Sequence, residues 1–102
     1  MEFTTIYDLP AEGYGPEANL VMDSAGNLYG TIYGEGPGGA GSVFKLTPTD
    51  SGWIYTSLHD FTNGSDGGAP MSNVVFDSNG NLYGTASQGG GYGEGVVWEI
   101  TP

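Results

Sequence analysis

His59, the only histidine, precedes Asp60, and Asn63 and Asp66 follow in the glycine-rich stretch Asn63-Gly64-Ser65-Asp66-Gly67. A histidine with an acid is what a proton relay needs, and oxygen-bearing side chains on a glycine-rich loop are what a cation needs. Asp60, Asn63 and Asp66 are therefore the candidate metal ligands. The spacing argues against both chemistries. A relay needs its acid to orient the ring from across the fold, which adjacency along the chain does not supply. Zinc needs two or three more ligands beside one histidine. The loop also lacks the Asp-x-Asp-x-Asp-Gly spacing and closing glutamate of a calcium loop. The expectation is no metal and no cofactor. In an assembly His59 recurs once per subunit, so a ring of histidines is conceivable. Asn63-Gly64-Ser65 also fits the glycosylation sequon.

Asp23 and Asp77 open two turns of the same kind. Each carboxylate either ligates calcium or contacts a sugar, or accepts N–H groups of its own turn as aspartates in tight turns do. The recurrence favours the second reading, since a single active site has no use for two copies. Tyr14, Tyr33 and Tyr92 lie in or beside glycine-rich loops, where a ring can stack on a sugar, and they are the best ligand-binding candidates. Among twelve acids no two are singled out as the pair a glycosidase needs. Glu12, Glu17, Glu35 and Glu94 read as solubilising loop charges, and the acidic surplus discourages edge-to-edge aggregation. No catalytic residues are expected.

What must position these residues is a repeat. Asp23-Ser24-Ala25-Gly26-Asn27-Leu28-Tyr29-Gly30-Thr31 returns as Asp77-Ser78-Asn79-Gly80-Asn81-Leu82-Tyr83-Gly84-Thr85. At the same spacing Gly41-Ser42-Val43-Phe44-Lys45-Leu46-Thr47-Pro48 returns as Gly95-Val96-Val97-Trp98-Glu99-Ile100-Thr101-Pro102. Gly or Pro interrupts almost every helical window. Short β-branched and aromatic runs bounded by Gly, Asn and Asp predict strands at about 3–9, 19–23, 28–33, 42–47, 53–61, 73–77, 82–86 and 96–101. Leu20-Val21-Met22 and Val74-Val75-Phe76 are apolar throughout, as strands covered on both faces are. The chain opens with a surplus fourth strand: Phe3-Thr4-Thr5-Ile6-Tyr7-Asp8-Leu9 matches Tyr55-Thr56-Ser57-Leu58-His59-Asp60-Phe61. The second unit stops after its third strand.

Composition narrows the function classes. One basic residue faces twelve acidic ones among 102 residues, for a formal net charge of −11. Nucleic-acid binding and attraction to an anionic membrane both need Lys and Arg in number. No apolar run reaches the length of a membrane span, and no signal peptide opens the chain. Seven Tyr, four Phe and two Trp, regularly spaced, exclude an acidic disordered tail. Twenty glycines without a collagen period mean many turns. The absence of cysteine excludes disulfides and thiol chemistry.

The succession Leu-Val-Met-Asp, Gly-Asn-Leu-Tyr-Gly-Thr, a glycine-rich loop and Gly-Ser-Val-Phe-Lys-Leu-Thr-Pro resembles the GloVer tandem repeat of bacterial surface and secreted proteins, over essentially the whole chain. It is also similar to the NHL type of propeller blade. The resemblance implies a β-propeller blade per repeat and a secreted or cell-surface parent protein, and it carries no catalytic residues over. Family members have many units; a chain of two, ending at a repeat boundary, points to an excised or engineered pair. The expected fold is all-β, one two-blade propeller fragment over residues 1–102. Residues 1–9 are the strand-four donor, blade one covers about 19–61 and blade two about 73–102. Open flanks that match each other rather than themselves make a head-to-tail contact. Identical chains are thus the expected partners, with a tetramer favoured and a trimer next, and Phe3, Ile6, Leu9, Val97, Trp98 and Ile100 in the interface. The functional expectation is a non-catalytic scaffold that closes into a ring. A carbohydrate-binding module is the alternative, and a polysaccharide lyase or glycosidase fragment the third reading.

Overall fold

The computed structural model describes residues 2–9, 20–34, 39–70 and 73–102. Within them the protein is all-β, with seven strands in two antiparallel sheets. The first sheet runs β1 (Val21–Met22), β2 (Leu28–Ile32), β3 (Ser42–Thr49) and β4 (Gly52–Asp60), paired in chain order. The second runs β5 (Val75–Phe76), β6 (Leu82–Ala86) and β7 (Val96–Ile100), also in chain order. Seven of the eight expected strands are therefore present, with boundaries shifted by a few residues.

The sequence repeat is a repeat of register. Val21 faces Tyr29 as Val75 faces Tyr83, and Gly30 faces Phe44 as Gly84 faces Trp98. The β1–β2 and β5–β6 turns are alike too. The Asp23 amide donates to the Asn27 carbonyl at 3.0 Å and that of Asp77 to Asn81 at 3.0 Å. Gly26 and Gly80 sit at φ +88° and +84°, left-handed positions that exclude most side chains. In the first sheet a bulge falls between Val43 and Phe44 of β3, where it pairs with β4.

Alternation along β3 sends Val43 to one face and Phe44 and Leu46 to the other. Val43 joins Phe61, Val74, Leu82 and Ala86 in a core between the two sheets, flanked by Tyr29, Leu58, Phe76, Trp98 and Ile100. Phe44 and Leu46 join Ile32 in a second cluster on the far face of the first sheet. The segment 61–70 crosses between the sheets. The Phe61 amide donates to the Gly41 carbonyl at 2.9 Å, that of Ala69 to Ala40 at 2.7 Å, and that of Ser87 to Ala69 at 3.3 Å.

Two expectations meet a different outcome within the single chain. Leu20, Met22 and Val75 are half-exposed or more, so the apolar runs of β1 and β5 are covered on one side only. Among the described residues no second layer covers them. Residues 2–9 belong to no strand ladder. They lie against the outer face of the first sheet, where Tyr7 and Leu9 pack on the Ile32–Phe44–Leu46 cluster. A strand exists only beside a partner edge, and β4 already closes that side of the first sheet.

Candidate functional site

The first sheet is finished by β4, whereas β7 is the last strand of the second, with one backbone edge unpaired among the described residues. Along that edge runs a cavity of about 320 Å³ lined by residues 96–100 of β7 and, opposite, by His59, Phe61, Ser65 and Asp66. Phe61 is buried, with His59 edge-on at 4.8 Å between ring centroids and Trp98 tilted at 6.3 Å. Trp98 carries a buried Nε1–H with no acceptor among the described residues. Its ring lies across Gly84: a Cβ on that glycine would sit 2.8 Å from Trp98 Cε2 and 2.9 Å from Cη2. The glycine of the Leu-Tyr-Gly-Thr motif is thus the seat of an aromatic ring from the next strand, and Gly30 seats Phe44 in the same way.

The acidic candidates are engaged in holding loops. Asp66 Oδ2 is 2.9 Å from His59 Nε2 and accepts the Thr62 amide at 3.1 Å, while Oδ1 accepts the Thr62 hydroxyl at 2.5 Å. The Thr62 side chain and then His59 hold the Asp66 carboxyl down at about 2. His59 thus takes Asp66, seven residues on, rather than its neighbour Asp60. Asp60 accepts the Ser57 hydroxyl at 2.8 Å. Asn63 stands at φ +66°, its amide donating to the Gly67 carbonyl at 2.9 Å. Among the described residues no three His, Asp or Glu side chains converge as metal ligands.

The turn aspartates follow the structural reading. Asp23 Oδ1 accepts the Ala25 and Asn27 amides at 3.0 and 2.9 Å, and Oδ2 accepts Asn27 Nδ2 and the Tyr29 hydroxyl, both at 2.9 Å. Asp77 repeats the set with Asn79, Asn81 and Tyr83 at 2.8–3.0 Å. Four donors stabilise the charged form of each acid. The side-chain bond from Asn27 leads in lowering Asp23 to about 2, and that from Asn81 in lowering Asp77 to about 2. Burial, then the Asp23 bond, raises Tyr29 to about 12. Both carboxylates are saturated by their own turns.

Of the tyrosines, Tyr14 lies outside the described residues. Tyr33 lines a separate cavity of about 230 Å³ with Asn63 and Gln88 among its walls, and Tyr92 is fully exposed and not part of that lining. The interface candidates divide in two. Val97, Trp98 and Ile100 line the β7 cavity. Phe3 and Ile6 are exposed and Leu9 half-buried, on the other side of the first sheet. His59 and Phe61 as the opposing wall escaped the sequence reading. The signal was present, because both align with Tyr7 and Leu9 of the opening segment.

These features define an all-β tandem-repeat protein with two copies of one antiparallel unit, four-stranded in the first sheet and three-stranded in the second among the described residues. The chain matches the Gloeobacter/Verrucomicrobia repeat over residues 1–102 and belongs to that family. No match was found among curated proteins.

Proposed function

We propose that the protein is a non-catalytic β-propeller repeat scaffold, a structural or interaction module of a bacterial surface protein, whose copies complete one another and close into a ring. The observation that carries this reading is the edge of β7, unpaired among the described residues, beside a chain that holds a spare copy of the sequence that fills the same place in the first sheet. The faces support it. The sheets stack through the Val43 side of the first and the Trp98 side of the second. What stays outward is the Phe44 side of the first sheet and the Val75–Val97 side of the second, the latter 57% and 80% exposed at those residues. The two outward faces repeat the pair that already packs inside. Contact between them is heterologous, so it propagates until it closes. Propellers close at roughly four to eight blades, which two-blade chains meet as a tetramer or a trimer; the tetramer is preferred.

Removal of residues 1–9 tests the reading: the shortened chain should lose or change its assembly. Unchanged mass in the truncated protein would refute the strand exchange. The carbohydrate-binding alternative draws on the Tyr33 cavity, where Asn63 and Gln88 add polar groups to a ring. A glycan array decides it, with silence expected for the scaffold.

A further inference from the structure

We infer that the cavity beside β7 is a socket for one side chain, Phe3 of a second copy, and that residues 3–9 of that copy enter in a bulged register. This rests on the assembly proposed above and adds the residue that anchors it.

The first sheet shows the socket filled. Tyr55 of β4 stacks on Phe44 with centroids 5.6 Å apart and planes at 20°, and on Tyr7 at 5.4 Å and 10°. Leu9 packs on the same cluster. Each of these residues has a repeat counterpart: Trp98 for Phe44, Ile100 for Leu46, His59 for Tyr7 and Phe61 for Leu9. All four counterparts line the β7 cavity. The missing member is the counterpart of Tyr55, which is Phe3. In the single chain Phe3 is 93% exposed. Its own segment packs on the outer face of the first sheet, away from the second, so the occupant comes from another copy.

The donor is held ready. Tyr7 and Leu9 fix residues 2–9 against the first sheet, as Leu58 and Phe61 fix the end of β4 against the second. Ordering done before docking does not oppose docking. The β3–β4 register, with Leu46 facing Tyr55, Lys45 facing Thr56, Phe44 facing Ser57 and Val43 facing His59 across the bulge, transfers directly. Ile100 then faces Phe3, Glu99 faces Thr4, Trp98 faces Thr5 and Val97 faces Tyr7.

The test compares Phe3→Ala and Phe3→Tyr in the full chain by sedimentation equilibrium, in a Trp53→Phe background so that emission reports Trp98. Truncating a ring buried in the socket should weaken assembly about ten- to hundredfold and red-shift Trp98. Phe3→Tyr, which restores the residue of the first sheet, should assemble like the parent. Phe3 is exposed in the single chain, so neither change threatens folding. Thr4→Cys with Glu99→Cys, in a protein without other cysteines, should cross-link between copies and not within one. Full assembly and unshifted emission in Phe3→Ala would overturn the socket while leaving the ring intact. Absence of the Cys cross-link in assembled particles would overturn the register. A monomeric parent chain would remove the assembly itself, and the socket with it.

Discussion

Phe61→Ala strikes the joint between the two units. The side chain is 1% exposed, wedged between the sheets with His59 and Trp98 against its ring. Its amide bond to the Gly41 carbonyl is backbone and survives the change, so the loss is packing and cavity alone. A buried Phe cut to Ala costs about 3–5 kcal/mol. A domain of this length has about 5–15 kcal/mol in total, and near this size each kcal/mol moves Tm by about 4–8 °C. The expected drop is on the order of 15–30 °C. Leu9→Ala, its repeat counterpart, removes a half-buried side chain at the open flank and should cost far less in the dissociated chain, about 1 kcal/mol. The assay is thermal unfolding by near-UV circular dichroism at one low protein concentration, since assembly makes Tm concentration-dependent. If Phe61→Ala melts within a few degrees of the parent, or Leu9→Ala proves as costly, then Phe61 is not the keystone between the sheets.

Acid should loosen both turns. Asp23 and Asp77 sit at about 2 in the fold against 3.8 ordinarily, so their contribution is complete above pH 4 and fades as pH falls toward 2. The urea midpoint should decline over that window and decline less in an Asp23→Asn/Asp77→Asn variant; equal declines would sink the turn assignment. Gly84→Ala drives a methyl into the Trp98 ring and should cost about 1–3 kcal/mol with a change in Trp98 emission, and a neutral result would contradict the seat described for that ring. Val97→Lys places a charge on the outer face of the second sheet, where the side chain is 80% exposed. The dissociated chain should keep its stability within about 0.5 kcal/mol while assembly is lost, and a fully assembled Val97→Lys protein would refute face-to-face stacking. On a glycan array the parent protein should be silent, and binding abolished by Tyr33→Ala would shift the reading to the carbohydrate module.

Much of the architecture was legible because the unit is written twice. Gly-Asn-Leu-Tyr-Gly-Thr encodes a turn, a strand and a ring seat in successive residues, and the structure realises all three in both copies. Asp23 and Asp77 are legible as turn acids because their recurrence speaks against a unique site, and each accepts four bonds from its own turn and the strand after it. The wall formed by His59 and Phe61 was harder to see. Adjacency drew His59 toward Asp60, whereas the loop at Asn63, with its positive φ, folds Asp66 back to it. The exposure of Met22 and Val75 could not be read from apolar runs, because hydrophobicity reports that a face wants cover and not which chain supplies it.

Whether the second sheet borrows its last strand from another copy is decided by native mass spectrometry of the intact protein. The expected result is a single closed species at four times the 10.5 kDa chain, or three times if the ring is smaller. A folded protein that stays at 10.5 kDa across concentration would contradict it.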